Sequence, residues 1–344
     1  MAKTALITGI TGQDGAYLSR LLVDKGYRVF GTERGGNPAG QVRLQWLGIA
    51  DAVTVLPLEL SDGGQIQRVL DRTAPDEIYN LAAQSSVHAS FEQPIHSSEV
   101  TGLAVARFLE ALRNSHAAAR FYQASTSELF GNAARSPQDE ETPFHPRSPY
   151  AIAKLYAHHI TVNYREAFGL HACCGILFNH ESPLRPSQFI TRKVTLALAR
   201  MALGEEHLLE VGNLEAARDW GFAGDYVEGM WRMAQAAAPE DYVLATGKAH
   251  TVRQLIETAA AAVDIVIDWQ GEGQATEGRD RRTGRLMVQV NPAFYRPADI
   301  SLTVGNPAKV ADRLGWQASL GFEALIRMMI EADLKRLKTG QMIL

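Results

Sequence analysis

The chain has 344 residues, a formal net charge of −4, 46% hydrophobic residues and 21% charged residues. This composition is typical of an ordinary globular protein with one large or two modest domains. The weak negative charge gives no electrostatic reason to expect nucleic-acid or anionic-membrane binding, and no apolar run is long enough to span a bilayer.

The first predicted elements are a strand, a glycine turn and a helix. Residues 4–8 are rich in strand formers, and residues 16–26 have a helical apolar period that stops at a glycine. Between them stand Gly9, Gly12 and Gly15. Strand, glycine turn and helix N-terminus together predict a site for the pyrophosphate of a dinucleotide. The spacing Gly-x2-Gly-x2-Gly differs from the Gly-x-Gly-x2-Gly fingerprint, so a plain glycine turn is the alternative. Because the N-terminus leads at once into this strand, no signal peptide is expected.

The end of the second predicted strand, residues 28–32, bears on which dinucleotide binds. An acidic residue there favours the ribose hydroxyls of NAD, whereas an arginine favours the extra phosphate of NADP. The sequence continues with Glu33 and Arg34, so both signals are present and charge alone does not decide.

Further predicted strands alternate with helix-length segments such as residues 101–114. They cover residues 53–60, 76–84, 120–125 and 171–178. This alternation predicts an α/β fold with a Rossmann-type doubly wound parallel sheet. Ligands on such sheets lie beyond the carboxyl ends of the strands. The segments that follow strands directly should therefore converge on one cleft: residues 9–15, 81–85, 126–128 and Asn179.

Residues 1–178 are predicted to form the dinucleotide-binding domain, with some later segments returning to it, and residues 179–344 a smaller, mixed substrate domain. The later part holds short strands at 208–212 and 242–246 and helices at 252–263 and 320–337, and its segment 270–283 is expected to be an exposed loop. Cys173 and Cys174 are adjacent on a predicted buried strand. A vicinal pair makes a poor structural disulfide, so a reduced, cytoplasmic protein is expected.

A tyrosine and a lysine stand one helical turn apart in the middle of the chain. Ser148 followed by Pro149 is a helix start, which places Tyr150 and Lys154 on one helix face. A nearby ammonium lowers the pKa of a phenol from its ordinary value of about 10, so Tyr150 is predicted to accept a proton from a sugar or alcohol hydroxyl. The alternative is a pair that merely packs on a helix surface.

At these residues the chain resembles the extended short-chain dehydrogenases/reductases, and from end to end it resembles the GDP-mannose 4,6-dehydratases. The matching segments cover residues 9–15, 79–85, 120–131, 146–156, 160–166, 175–183, 218–221 and 315–316. The segments around Glu128, Asn179 and Arg218 are more specific to this family than the glycine turn is.

The resemblance implies a redox-neutral dehydration of a GDP-sugar. Tyr150, assisted by Lys154, would take the proton of the 4-hydroxyl while the C4 hydride passes to the nicotinamide. Thr126 would hydrogen-bond the 4-oxygen. Glu128 would take the C5 proton and return it to the departing C6 hydroxyl, and C6 would then receive the hydride. Epimerases of the same superfamily need no such base at C5.

The resemblance also implies the binding residues, and it implies no metal site. The cofactor-binding set is Gly9, Thr11, Gly12, Gln13, Asp14, Gly15, Arg34, Glu59, Leu60, Leu81, Ala82, Ala83, Ser85, Tyr150, Lys154, His180 and Arg185. The substrate-binding set is Ser85, Thr126, Asn179, Lys193, Arg218, Arg296 and Asp299. Cationic groups suit the pyrophosphate of a GDP-sugar, although a surface salt bridge is the ordinary explanation for Lys193 or Arg218 taken singly.

The chain departs from the family pattern after the second strand. Two arginines that grip the 2′-phosphate and help to join subunits are replaced by Gly35 and Gly36, with Arg34 just before them and Arg43 downstream. The resemblance implies NADP, and this change leaves NAD possible. A homodimer or a homotetramer is expected. Other departures from the residues usual in the family are Glu59, His96, Pro186 and Asp299.

Three alternatives to a GDP-mannose dehydratase remain at this stage. Two are enzymes on the same scaffold: a GDP-heptose 4,6-dehydratase and a reductase of GDP-4-keto-6-deoxy sugars that consumes NADPH. The third is a cofactor-binding sensor without catalysis, against which an intact set of Thr126, Glu128, Tyr150 and Lys154 argues.

Overall fold

The computed structural model describes residues 2–35, 41–294 and 300–342. Its strands, numbered in chain order, are β1 Thr4–Thr8, β2 Arg28–Glu33, β3 Val53–Pro57, β4 Glu77–Asn80, β5 Arg120–Ala124, β6 Ala172–Leu177, β7 Asn179–Glu181, β8 Leu209–Val211, β9 Ala217–Phe222, β10 Tyr242–Leu244, β11 Ala249–Thr251, β12 Ile267–Gln270, β13 Glu277–Asp280, β14 Leu286–Val290 and β15 Leu302–Thr303. Its α-helices are α1 Gln13–Asp24, α2 Val42–Trp46, α3 Gly63–Thr73, α4 Val87–Glu92, α5 Pro94–Ser97, α6 Ala104–Ser115, α7 Pro149–Phe168, α8 Ile190–Ala202, α9 Ala223–Gln235, α10 Val252–Ala261, α11 Ala308–Leu314 and α12 Phe322–Thr339.

Seven parallel strands form the central sheet, in the order β10-β6-β5-β4-β1-β2-β3. Strands β1 and β4 are buried along their whole length, as expected for parallel strands that are covered on both faces. Apolar side chains of α1 and α9 pack on one face, and those of α3 and α6 on the other. The predicted Rossmann-type doubly wound sheet is confirmed.

The seventh strand of this sheet comes from the second half of the chain. Strand β10 pairs in parallel with β6, with Tyr242 opposite Gly175. The predicted strand at 242–246 is therefore an edge of the large sheet. The helix predicted at 101–114 has a different start, because a π-helical turn, Ser98–Leu103, precedes α6.

Two smaller sheets complete the second half. In one, β9 lies between β11 and β15 and also pairs with β7; the other has the order β12-β13-β14-β8. Residues 271–275 and 281–283 of the expected loop 270–283 are exposed, as predicted. The expectation is wrong between them, because β13 pairs antiparallel with β12 and β14. Its sequence Glu-Gly-Arg-Asp has no apolar alternation, and backbone pairing together with the close packing of Gly278 against Ile267 and Val288 holds it in place.

Helices α8, α10 and α12 enclose the core of this second half. Arg192 and Asp333 form a fully buried ion pair between α8 and α12, and the hydroxyl of Thr195 donates to the same carboxylate at 2.7 Å. None of the helices in the described ranges combines the length and the apolar character that crossing a membrane requires.

Candidate active site

A cleft of about 600 Å³ opens at the carboxyl ends of β1, β2, β3 and β4. Most of the residues that were assigned to the cofactor from the sequence line it. They are Gly9, Thr11, Gly12, Gln13, Asp14, Gly15, Arg34, Glu59, Leu60, Leu81, Ala82, Ala83, Ser85 and Arg185. His96 and Pro186, two of the departures from the family pattern, also lie on its wall.

The glycine turn forms the floor of this cleft. Gly9 has a φ of +72°, and its N–H donates to the carbonyl oxygen of Thr32 at 3.0 Å. A Cβ atom on Gly15 would lie only 2.4 Å from the carbonyl oxygen of Gly9, so a side chain there would displace the start of α1 from the turn. Helix α1 begins at Gln13, and no side chain of the described residues caps it at Gly12. The close turn and the uncapped first-turn N–H groups fit a pyrophosphate.

Asp14, at the start of α1, is paired with His180 of β7. The His180 Nε2 lies 2.8 Å from Asp14 Oδ2, and its Nδ1 lies 2.7 Å from the carbonyl oxygen of Phe178. Both partners are acceptors, so both ring nitrogens donate and the imidazole is cationic. Burial lowers the pKa of His180, but the charge of Asp14 and these hydrogen bonds outweigh it and raise that pKa above its ordinary value. Three of the residues that the sequence assigns to the cofactor do not line the described wall of the cleft: Tyr150, Lys154 and His180.

The first turn of α7 carries the predicted tyrosine and lysine. The Ser148 hydroxyl accepts from the Ala151 N–H at 3.1 Å, and Pro149 occupies the first helical position, as the sequence predicts. Both Tyr150 and Lys154 are buried. The alternative of a pair that packs on an exposed helix surface is therefore wrong.

The prediction that Lys154 lowers the pKa of Tyr150 is also wrong. Burial, and next the negative charge of Glu128, raise the pKa of Tyr150 well above its ordinary value, against a hydrogen bond with Thr126 that lowers it. The Lys154 ammonium donates to the carbonyl oxygen of Ala124 at 2.8 Å and lies 5.9 Å from the centroid of the Tyr150 ring. Burial lowers the pKa of Lys154 to about 8.

Glu128 lies on a short 3-10 turn, Ser127–Leu129, directly after β5. The Thr126 hydroxyl accepts from the backbone N–H of Glu128 at 3.3 Å and so fixes the start of this turn. Glu128 is half-buried. The turn that carries Glu128 packs against α7, the helix of Tyr150, so the carboxylate and the phenol are assigned to one site together with Thr126.

The residues assigned to the substrate are more dispersed. Ser85 lines the cleft, Asn179 is the first residue of β7, and Arg218 lies on β9 with Nη1 2.9 Å from the carbonyl oxygen of Ala217. Lys193 on α8 donates to the carbonyl oxygen of Glu210 at 2.6 Å and lies 4.1 Å from the centroid of the Phe294 ring. Arg296 and Asp299 lie outside the described residues, as do Gly36 and the two residues after it.

Several residues that line the cleft were not assigned to it from the sequence: Thr32, Glu33, Gly35, Leu58, Gln84, Val100 and Phe189. Three of them lie at or just beyond strand ends: Thr32, Glu33 and Leu58. That position alone would have been enough to predict them as part of the cleft wall. Phe189 comes from the loop before α8, and its ring lies 3.7 Å from the Arg185 guanidinium. No sequence pattern indicates that contact.

Comparisons with family models, with named relatives and with solved structures all give matches. The family model described as GDP-mannose 4,6 dehydratase matches residues 6–329. The chain is 47% identical over 343 residues to the GDP-mannose 4,6-dehydratase of Sinorhizobium fredii (strain HH103) and 44% identical over 347 residues to the GDP-mannose 4,6 dehydratase of Dictyostelium discoideum; each alignment covers 98% of both chains. The crystal structure of Thermus thermophilus UDP-glucose 4-epimerase in complex with NAD has a TM-score of 0.78 and 24% identity, and the match covers 96% of this chain and 98% of that one. The chain belongs to the GDP-mannose 4,6-dehydratase family.

Proposed function

We propose that this protein is a lyase that converts GDP-mannose into GDP-4-keto-6-deoxymannose and water, using a bound nicotinamide dinucleotide. One observation carries the proposal. Lys154, one helical turn after Tyr150, donates to the carbonyl oxygen of Ala124 at the end of β5. Glu128 lies on the turn that follows the same strand, so the carboxylate and the buried phenol are near one strand end. Family membership supports the substrate, because the relatives of nearly equal length carry this activity in their names.

The glycine turn, the start of α1 and the side chains at the ends of β2 and β3 would hold the dinucleotide. When bound, it supplies a two-electron acceptor that is restored within each turnover. The neighbour from Thermus thermophilus holds NAD in its own site, which suits this assignment. The resemblance implies NADP as the dinucleotide, whereas the loss of two arginines at Gly35 and Gly36 leaves NAD open.

Tyr150 removes the proton from the 4-hydroxyl in this proposal. Its raised pKa makes the phenolate costly in the free protein. Lys154, on the same helix face, is proposed to assist by holding its ammonium at the carboxyl end of β5, beside the site. The hydroxyl of Thr126, at the end of β5, is proposed to contact the same oxygen of the sugar.

Glu128 carries the dehydration itself. A ketone at C4 acidifies the C5 hydrogen, and the Glu128 carboxylate removes that proton. The same proton leaves on the C6 hydroxyl as water, so the carboxylate is regenerated. C5 later regains a proton, which balances the proton lost from O4. The product is therefore lighter than the substrate by one water. A positioned acid/base of this kind contributes about two to four orders of magnitude in rate.

The substrate's pyrophosphate requires cations, and Lys193, Arg218 and Arg296 are proposed to supply them. Lys193 already donates to a backbone carbonyl oxygen, and burial lowers its pKa. We propose that Lys193 exchanges this carbonyl for a phosphate oxygen. Asn179 and Asp299 are proposed to contact the sugar nucleotide, Asp299 through the ribose of guanosine.

A homodimer is part of the proposal. Apolar side chains are exposed on the π-helical turn before α6 and on the neighbouring helix α7, where Leu103, Ile152 and Tyr156 face outward. Covering these side chains with the same surface of a second copy would remove them from water. A homotetramer would need a second contact surface. Gly35 replaces one of the arginines that help to join subunits in the family, and it has no side chain to contribute to such a surface.

The two cysteines suit a reducing, cytoplasmic compartment. Cys173 and Cys174 are both buried on β6 and unpaired. Burial raises the pKa of both thiols, so neither is a reactive thiolate.

The test is incubation of the purified protein with GDP-mannose, without and with added NAD or NADP, followed by mass spectrometry. The proposal predicts a product lighter by one water, with no net consumption of reduced dinucleotide. A requirement for stoichiometric NADPH would indicate a reductase instead. Turnover of a GDP-heptose in preference to GDP-mannose would shift the substrate while leaving the chemistry intact.

A further inference from the structure

Glu33, the last residue of β2, presents an unsatisfied acceptor at the wall of the cleft. Its Oε2 is buried and has no hydrogen-bond partner among the residues that the structure describes. A buried carboxylate oxygen without a donor is costly, and such groups in native proteins are usually satisfied by a partner or a ligand. Glu33 therefore has one oxygen that can accept a further hydrogen bond.

The other two acidic residues on the wall are already engaged. Asp14 accepts from Gln13 and from His180. Glu59 Oε1 accepts from the hydroxyl of Ser61 at 3.2 Å. Of the acidic residues on the described cleft wall, Glu33 is thus the one with a buried oxygen that lacks a hydrogen-bond partner. It stands at the strand end where an acidic residue meets ribose hydroxyls in dinucleotide-binding sheets.

Few cationic side chains lie near Glu33 to bind the 2′-phosphate of NADP. Arg34 lines the cleft and is exposed, Gly35 has no side chain, and the sequence from 35 to 42 contains neither lysine nor arginine. Arg43 is the next basic residue, and its guanidinium donates to the carbonyl oxygens of Leu184 at 2.8 Å and Thr11 at 3.1 Å. These hydrogen bonds link α2 to the glycine turn, so the Arg43 guanidinium is already hydrogen-bonded within the protein.

We infer that this chain prefers NAD to NADP, and that Glu33 selects NAD by accepting a hydrogen bond from a ribose hydroxyl of the adenosine half. The inference rests on the dinucleotide site of the proposed function. A 2′-phosphate would replace that donor with negative charge beside the Glu33 carboxylate, and Arg34 alone would face both groups. The loss of cations after β2 and the negative charge of Glu33 therefore both disfavour a 2′-phosphate.

The experiment is calorimetric titration of the full-length protein with NAD and with NADP, after bound nucleotide has been removed and its absence checked by absorbance. We expect NAD to bind at least tenfold more tightly than NADP. Glu33→Gln keeps an acceptor but removes the charge, so the preference should fall severalfold. Glu33→Ala removes the acceptor, so NAD affinity should fall about tenfold. Glu272→Gln, which removes an equal charge from an exposed position outside the cleft wall, is the matched control and should change neither affinity.

Equal or tighter binding of NADP by the unsubstituted protein would overturn the inference. So would an unchanged ratio of the two affinities in both Glu33 variants. Parallel assays of GDP-mannose turnover separate this result from the proposed function. Dehydration with an NADP preference contradicts only the inference, whereas NAD-selective binding without turnover supports the inference and contradicts the dehydratase assignment.

Discussion

The Lys154 ammonium donates a 2.8 Å hydrogen bond to the carbonyl oxygen of Ala124, the last residue of β5. That carbonyl also accepts from the Gln123 side-chain amide at 2.8 Å. The Gln123 amide oxygen in turn accepts from Asn80, whose own amide oxygen accepts from the Thr8 hydroxyl. A buried row of hydrogen bonds thus runs across the ends of β1, β4 and β5 to the proposed catalytic lysine.

Replacing Gln123 with leucine tests whether this row positions Lys154. The variant leaves the Asn80 amide without its buried acceptor, so we expect the free energy of unfolding to fall by about 1–3 kcal/mol. We expect kcat to fall about tenfold, with the KM for GDP-mannose nearly unchanged, because Gln123 faces the lysine and not the sugar. Urea unfolding and steady-state kinetics measure both effects. Gln67→Leu on the surface of α3 is the control, and a kcat equal to that of this control would contradict the positioning role.

Replacing Tyr150 with phenylalanine should remove the proton acceptor at O4. We expect kcat to fall by about two to four orders of magnitude, while GDP-mannose binding changes little. Tyr156→Phe is the matched control, because Tyr156 lies on the same helix with its ring partly exposed. Turnover by Tyr150→Phe at the rate of Tyr156→Phe would show that another group takes the proton.

Local sequence rules were sufficient for the strand, glycine turn and helix at the N-terminus and for the start of α7. Each depends on neighbouring residues: glycines that permit a close turn, or Ser148 and Pro149 that begin a helix. The same rules placed residues of the segments 9–15 and 81–85 on the cleft wall, because the carboxyl ends of parallel strands meet at one edge of the sheet. Residues 126–128 and Asn179, which the same rule assigned to this cleft, do not line its described wall.

Properties set by distant residues could not be predicted in this way. The sequence gives the spacing of Tyr150 and Lys154, but the pKa of the phenol depends on burial by the whole domain and on Glu128. Strand β10 joins the large sheet because of its pairing with β6, about 65 residues earlier in the chain. The unpartnered oxygen of Glu33 is likewise visible only when its surroundings are known.

The pair of Asp14 and His180 predicts a pH-dependent contribution to stability. Burial raises the pKa of Asp14, but the charge and hydrogen bond of His180 outweigh it and bring that pKa to about 2. The Asp14 contribution is therefore present above its ordinary pKa of 3.8 and is lost as pH falls towards 2. The pKa of His180 is raised, so its contribution is complete below 6.5 and is lost as pH rises through the raised value.

A His180→Gln variant isolates this effect. The difference in unfolding free energy between the unsubstituted protein and the variant should be larger at pH 5.5 than at pH 9. Denaturant titrations at the two pH values measure it. A difference that is constant with pH would show that His180 stabilises by packing on Tyr226, whose ring centroid lies 4.7 Å away, and not by its charge.

The proposed dimer predicts that a charge on α7 separates the subunits. Ile152 is 58% exposed, so replacing it with aspartate should disturb little of the packing within one subunit. We expect Ile152→Asp to halve the mass measured by light scattering after size exclusion, with little change in the fold as measured by circular dichroism. Val266→Asp, at an exposed apolar position outside the proposed interface, is the control. A dimer that survives Ile152→Asp would place the interface elsewhere.

Replacing Glu128 with glutamine tests most directly whether a carboxylate beside Tyr150 performs the dehydration. The amide has the same shape but cannot accept a proton from C5, so product formation should fall by about two to four orders of magnitude, while GDP-mannose binds within a few-fold of its original affinity. Glu141→Gln, an exposed carboxylate in the loop before α7, should leave the rate unchanged. Mass spectrometry of the sugar nucleotide gives the result: loss of one water from GDP-mannose at an undiminished rate in Glu128→Gln would contradict the mechanism.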